Sequence, residues 1–362
     1  LKAKDVNLFP YFGNKRAVAS LVWEYLGNPR NYVEPFAGSL ACLMARPDDL
    51  TPQHREIVND ADGLLVNFWR AVKYNPAEVA RYASNPPFES DLHARHAWLV
   101  GRRESLTASL EGDPDWHDVR AAGWWAWGIC YWIGSGWCSG KGPWSVVDGK
   151  LVKSEKKDGQ RRKLIRPDRQ GLARAGDDQG QHRKIIQPEE RGLPNIARQL
   201  IRPDRQGLMN ASAAEVGSME TILQVFARRL ERVFIMSGDW ARVMGGSVTG
   251  EKRNDDPIGV FLDPPYADTA DREGSLYAVD CLNVAHDVRR WAIENGENPQ
   301  FRIILAGYEG EHDMPDNWTL LMGRAGGSGI GYGNQKKSEE GYENAGRERL
   351  WCSPHCARVT LF

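Results

Sequence analysis

Apolar positions in the first part of the chain switch between two periods. KRAVASLVWEYL (15–26) repeats at helical spacing, NYVEPFAG (31–38) reads as a short strand running into a tight turn, and REIVND (55–60) reads as a second apolar strand ending in acid. ADGLLVNFWRAVKYNPAEVARYA (61–83) then resumes a helical period. Strand ends that finish in glycine or acid are where open α/β sheets place their ligands.

The character changes after residue 74. HARHAWLVGRRESLTASL (93–110) and AAGWWAWGICYW (121–132) predict helices, whereas SGWCSGKGPWSVVDGK (135–150) is broken by glycine and proline into turns and short strands. Three related basic units follow, RRKLIRPDRQGL, HRKIIQPEERGL and ARQLIRPDRQGL, beginning at 161, 182 and 197; their unequal spacing argues for hairpins or an arm rather than a solenoid. The α/β pattern returns with METILQVFARRLERVFIMSGDW (219–240), IGVFLDPPY (258–266), VAHDVRRWAIENG (284–296) and FRIILAGY (301–308), and RERLWCSPHCARVTLF (347–362) supplies closing strands. The expected organisation is one α/β domain in two parts, 1–74 and 215–362, with 75–214 inserted between them as a helical and basic region.

Charge sharpens this division. The whole chain carries a formal net charge of -1, yet Lys141 to Leu208 holds seventeen Lys or Arg against nine Asp or Glu. A polyanion can be held there while the rest stays near neutral, although a solvated charged insertion has the same composition. No apolar run approaches a membrane span, and LKAKDVNLFPYFGNK at the start has no apolar signal core, so a cytoplasmic location without membrane attachment is expected. Six cysteines in 362 residues do not make a disulfide scaffold. Cys352, His355 and Cys356 fall one ligand short of a tetrahedral zinc site, and a compact strand or turn is the simpler reading; Cys130 and Cys138, among tryptophans, read as packing residues.

Three stretches carry candidate chemistry. In VEPFAGSLA (33–41) a strand delivers Glu34, Pro35, Phe36 and Ala37 into a turn at Gly38, a geometry that brings backbone N–H groups close to a ligand. Asp60, at the end of the next strand, has the right place to accept hydrogen bonds from a ribose diol; Asp62 competes for that role, and a helix N-cap is the structural alternative for either. In GVFLDPPYAD (259–268), Asp263 offers a carboxylate acceptor, and the Pro264 carbonyl offers a second because Pro265 restricts its backbone. Tyr266 adds an aromatic face for a base taken out of the stack. Such acceptors hold the N–H groups of an exocyclic amine in line with a methyl donor and favour positive charge as it develops.

FLDPPY, together with PYFGNK (10–15) and YVEPFAGSLA (32–41), resembles the D12 class of adenine-N6 DNA methyltransferases, the Dam-like alpha group, and the motifs stand in that group's order. The resemblance covers 7–70 and 230–310 closely. It implies a Rossmann-like S-adenosylmethionine-dependent methyltransferase fold with a mixed central sheet and an inserted DNA target-recognition region, and S-adenosylmethionine as cofactor with no metal required. It further implies that Tyr11 and Lys15 border the cofactor pocket, Lys15 near the cofactor's charged end or the catalytic loop. By the same resemblance Phe36, Ala37 and Gly38 would line the methionine side, Asp60 would hold the ribose, and Asp239 and Trp240 would flank the cofactor adenine. Asp263, Pro264, Pro265 and Tyr266 would grip the target adenine, base-flipped from double-stranded DNA. Functional pairing with a restriction endonuclease, in a bacterial, archaeal or phage-infected cell, belongs to the same implication. The chain departs from the group at Leu40, where a second glycine is usual; leucine there is harmless inside a helix and costly if an unusual φ is required.

DNA contact is expected from the insertion. Arg166, Arg169, Gln170, Arg202, Arg205 and Gln206 have donor geometry for base edges or phosphates, and Trp137 and Lys141 lie in the glycine-broken turn, the better place for an aromatic contact. Trp124, Trp125, Trp127 and Trp132 read instead as one packed helical surface. Cytosine-N4 methylation needs the same acceptors and stays open, as does a noncatalytic DNA-binding homologue.

Overall fold

The computed structural model describes residues 1–11, 13–47, 50–132, 137–138, 144–147, 150–153, 218–251, 256–265, 284–322 and 348–357. Nine strands are described: β1 Asn31–Glu34, β2 Arg55–Asp60, β3 Trp144–Val147, β4 Lys150–Lys153, β5 Val233–Ser237, β6 Ile258–Leu262, β7 Phe301–Tyr308, β8 Thr319–Met322 and β9 Glu348–Cys352. Seven of them form one sheet in the order β5-β2-β1-β6-β7-β9-β8, while β3 and β4 pair as a separate antiparallel hairpin. The five strands β5 to β7 run parallel, and β9 lies antiparallel to both β7 and β8. This is the Rossmann-like methyltransferase architecture with a mixed sheet.

Burial on both faces explains why the central strands are almost wholly apolar. Every residue of β6 is buried, as is every residue of β1, and successive residues feed opposite layers. Tyr32, Val58, Phe261 and Ile304 join one core, whereas Val33, Ile57, Val260, Leu262, Ile303 and Leu305 join the other. The chain leaves β1 toward β2 on one side and returns to β6 on the other. The carboxyl ends of β1 and β6 therefore flank the point where strand order reverses, which is where such sheets open a crevice.

The helices are α1 Ala19–Leu26, α2 Ala41–Met44, α3 Gly63–Tyr74, α4 Pro76–Ala83, α5 Glu89–Gly112, α6 Val119–Tyr131, α7 Met219–Leu230, α8 Gly246–Thr249 and α9 Val284–Gly296. The single helical run expected over 61–83 is in fact two helices. Pro76 cannot donate a hydrogen bond inside a helix but is well placed at the start of one, so Asn75 closes α3 and α4 begins afresh. α3 is buried from Gly63 through Val72 because α5 and α6 cover the side turned away from the sheet. Among the described residues no helix is long and apolar enough to cross a membrane.

Aromatic packing ties this helical layer down. Phe9, Phe68 and Trp125 meet edge-on or tilted with ring centroids 5.0–5.4 Å apart, and Trp69 joins them. Trp125 and Trp127 are core residues, while Trp124 and Trp132 are half-buried against it. Trp137 corrects the expectation of a DNA contact in its turn: it is only 7% exposed, and its indole Nε1 donates to the Trp125 carbonyl at 3.1 Å. Its ring lies over Gly128, where an added Cβ would fall 1.9 Å from a ring carbon, so the flat indole is accommodated by the missing side chain on α6. Cys138 is buried beside it and Cys130 is half-buried, in keeping with packing roles.

Arg70 is the polar counterpart of these contacts. Buried on α3, it donates from Nε to the Ile235 carbonyl of β5 and from Nη1 to the carbonyls of Leu110 and Asp113, each at 2.9 Å. Replacing it would leave several buried acceptors without a donor. Arg70→Met should therefore lower unfolding stability by about 3 kcal/mol or more, measured by urea denaturation; a loss below about 0.5 kcal/mol would show that these carbonyls find other donors.

Candidate active site at the carboxyl edge of the sheet

The turn after β1 is built by hydrogen bonds to the end of β2. Ala37 N donates to the Asn59 carbonyl at 2.8 Å, and Gly38 N donates to Asp60 Oδ2 at 2.9 Å. Trp69 Nε1 donates to the Gly38 carbonyl at 3.0 Å. Gly38 has φ 47°, and a Cβ there would fall 2.9 Å from the Tyr11 ring, so backbone conformation and close approach both require glycine. Tyr11, Phe36, Ala37, Gly38 and Asp60 are thus gathered around one turn.

Leu40 resolves the question raised by the missing second glycine. Its φ is 57° and its ψ 24°, a left-handed conformation that an L side chain adopts at a cost, and it stands as N-cap of α2. The side chain is fully buried in the core with Leu43 and Trp69. Burial of the leucine side chain offsets the backbone strain, and the side chain fills the core instead of the crevice.

Asp62 takes the capping role that the sequence offered to either aspartate. Asp62 is the N-cap of α3, accepting from Leu64 N at 3.1 Å. Asp60 accepts from Gly38 N and, at 2.9 Å, from Asp62 N, while its backbone carbonyl accepts from Gly238 N at 3.0 Å. Burial pushes the Asp60 carboxyl up to about 6 against the lowering effect of these N–H donors. Asn59 was not anticipated. Its Nδ2 donates to the carbonyls of Pro35, 3.2 Å away, and Gly238, 2.9 Å away, joining the loops after β1 and β5, and its buried Oδ1 has no partner among the described residues.

The loop after β5 brings in the acidic-aromatic pair. Asp239 is exposed and caps a short 3-10 helix by accepting from Ala241 N at 2.9 Å. Trp240 is half-buried and stacks with Phe36 at 6.3 Å between centroids and 27° between planes. The ends of β1, β2 and β5 therefore present a glycine turn, a carboxylate and two aromatic rings along one edge.

Asp263 follows β6 at the same edge. Its Oδ1 lies 3.0 Å from Lys15 Nζ, and Lys15 Nζ lies 2.8 Å from Glu348 Oε1 and 3.0 Å from the Gly13 carbonyl. Lys15 is 4% exposed in its side chain, against 17% for Asp263 and 22% for Glu348. Burial pushes the Asp263 carboxyl up to about 6; Lys15 opposes this, and Glu348 and Glu311 add to it. Beneath them, buried Glu34 accepts from Tyr32 Oη at 2.9 Å, and desolvation pushes its carboxyl up to about 8. Pro264 is buried and Pro265 half-buried, while Tyr266 lies outside the described residues.

Glu348 is the second residue that the sequence did not flag. It reaches the site because β9 runs antiparallel to β7, so its first residue pairs with Tyr308 at the carboxyl end of the parallel strands. Nothing in its local sequence announces a pairing across the sheet. Lys141, Arg166, Arg169, Gln170, Arg202, Arg205 and Gln206 lie outside the described residues. Cys352 ends β9 and Cys356 sits in the following turn, its N donating to Ser353 O at 3.1 Å. Among the described residues no three His, Cys, Asp or Glu side chains cluster to hold a metal ion.

The residues at the edge fit S-adenosylmethionine by chemistry of their own. Asp60 supplies a carboxylate acceptor at the Gly38 turn, Phe36 and Trp240 offer flat faces, and Asn59 Oδ1 is an orphaned buried acceptor between the loops. Residues 11–104 match the family model of D12 class N6 adenine-specific DNA methyltransferases. No curated protein matches the chain.

Leu40→Gly removes a left-handed leucine, worth about 1 kcal/mol, but deletes a buried side chain, costing about 2–5 kcal/mol. Chemical denaturation should thus show a net loss of stability, and a stabilised variant would reverse that weighting. For Glu34 the folded carboxyl is raised, so its contribution is fully present below the ordinary carboxylate range and is lost as pH rises toward about 8. Glu34→Gln should accordingly lose less stability between pH 5 and pH 8 than the wild type in matched urea titrations; parallel pH profiles would refute a raised Glu34.

Proposed function

We propose, from the match of residues 11–104 to the family model of D12 class N6 adenine-specific DNA methyltransferases, that the chain methylates adenine N6 in a specific double-stranded DNA sequence, drawing the base out of the helix into the Asp263–Tyr266 site. The observation that carries this reading is the position of Asp263. Its carboxylate stands at the strand-order reversal beside Lys15, one strand from the Gly38–Asp60 turn.

Bound S-adenosylmethionine supplies an activated methyl group on a good leaving group. Tyr11, Phe36, Ala37 and Gly38 would line its methionine side, Asp60 would accept from the ribose hydroxyls, and Asp239 and Trp240 would flank its adenine. The base amine is a poor nucleophile because its lone pair is delocalised into the ring. Asp263 accepts one amine N–H and the Pro264 carbonyl the other, which favours a localised lone pair and stabilises positive charge developing on nitrogen. Pro265 keeps the Pro264 backbone extended, and Tyr266 supplies a stacking face for the extruded base.

DNA would be gripped by the basic units of the insertion. Lys141, Arg166, Arg169, Arg202 and Arg205 offer phosphate or guanine contacts, and Gln170 and Gln206 have the amide geometry that reads adenine. Their density suits a strongly salt-dependent affinity.

Asp263→Ala should lower methyl transfer to DNA by about 10³-fold while leaving cofactor affinity, read by titration calorimetry, within about threefold. Nucleoside mass spectrometry of wild-type product should give N6-methyladenine. N4-methylcytosine would redirect the reading to the other exocyclic amine, and a fully active D263A protein would end the proposed role of Asp263.

A further inference from the structure

Resting on the methyl-transfer reading above, we infer that Glu348 is a positioning residue for the reaction: it shares the Lys15 ammonium with Asp263, which keeps Asp263 seated at the crevice as a strong hydrogen-bond acceptor.

The geometry is specific. An ammonium has three N–H donors, and the acceptors that Lys15 Nζ meets within 3.0 Å include, among the described residues, the Gly13 carbonyl, Asp263 and Glu348. These come from the segment before the first helix, from the end of β6 and from the start of β9, so the cation ties together three parts of the chain far apart in sequence. Strand register makes the choice of residue sharp. Tyr308 pairs with Glu348 and Gly307 with Arg349, and Arg349 turns to the other side to meet Glu309 at 2.8 Å. A slip by one residue would exchange the carboxylate for a guanidinium beside Lys15.

The chemical consequence follows from sharing one positive charge. If Asp263 alone neutralised Lys15, its lone pairs would be drawn to the ammonium and its basicity would fall, weakening it as an acceptor for the amine. Glu348 takes part of that pull and adds negative charge of its own, which raises the basicity of Asp263. The charged and titratable groups acting on Asp263 or facing it are Lys15, Glu348, Glu311, Glu34 and Cys42. Of the carboxylates among them, Glu348 alone is in ion-pair contact with the same Lys15 nitrogen as Asp263 among the described residues.

The test compares wild type, Glu348→Gln and Glu348→Asp. Single-turnover methyl transfer to a methylatable duplex is measured from pH 5 to 9 at saturating cofactor, beside a carboxyl carbon-13 NMR titration of Asp263 that needs no substrate. E348Q keeps the shape and removes the charge. Its rate should fall at least about tenfold with cofactor affinity within about twofold, and the acid limb of its rate profile and the Asp263 NMR midpoint should both move to lower pH. E348D keeps the charge, so its acid limb and midpoint should stay near those of wild type.

A purely structural Glu348 would change the folded fraction but neither the acid limb nor the midpoint. E348Q with a wild-type rate and limb would overturn the inference, as would an unmoved NMR midpoint. If folded wild-type protein methylates no DNA, the proposed function falls and the NMR titration alone decides whether Glu348 controls Asp263.

Discussion

Lys15 is the cation that lets Asp263 and Glu348 share one sheet edge, because two carboxylates brought so close in a mostly buried setting would otherwise repel or take up protons. The ammonium is nearly sealed from solvent, so its charge is little screened. Around it the parallel strands can end in acid where the chain reverses order. The crevice therefore keeps an ionisable acceptor where an apolar sheet alone would leave only backbone groups. Glu34, lying deeper with Tyr32 as its donor, has no ion-pair partner among the described residues, and burial pushes its carboxyl up to about 8. The contrast between Glu34 and Asp263 shows how a neighbouring charge, beyond burial, sets what a carboxyl can do.

The other half of the edge is organised by backbone. Asp60 fastens the Gly38 turn, Asn59 joins that turn to the loop after β5, and Trp69 closes it from α3. Leu40 shows the compromise such a turn tolerates. A left-handed residue is kept as leucine because its side chain completes the core, so the strain is held in place by packing. The helices beyond α3 are part of the same packing, since Arg70 and the Phe9–Phe68–Trp125 group fix them to the α/β core. The turn thus rests on a layer that reaches well into residues 76–131.

Much of this was legible before the structure. Runs such as IGVFL, apolar without alternation and followed by acid, mark parallel strands buried on both faces, and the Gly38 turn and Asp60 could be placed from strand ends alone. Where local pattern competed with tertiary packing it misled. Trp137 sits in a glycine-rich stretch that looks exposed, yet Gly128 on α6 gives its ring a place in the core. The 61–83 run hides a break because its apolar period continues through Asn75–Pro76. Glu348 was illegible for a deeper reason: its role depends on antiparallel pairing with Tyr308 and on a lysine more than three hundred residues earlier.

The central claim is that this edge holds Asp263 against the amine of an extruded base. It is tested most directly by a crystal structure of the protein with S-adenosylhomocysteine and a duplex containing its methylation site. The account predicts an adenine outside the helix with its N6 within hydrogen-bond distance of Asp263, and Lys15 still bridging Asp263 to Glu348. An extruded base bound elsewhere, with Asp263 far from any exocyclic amine, would contradict it.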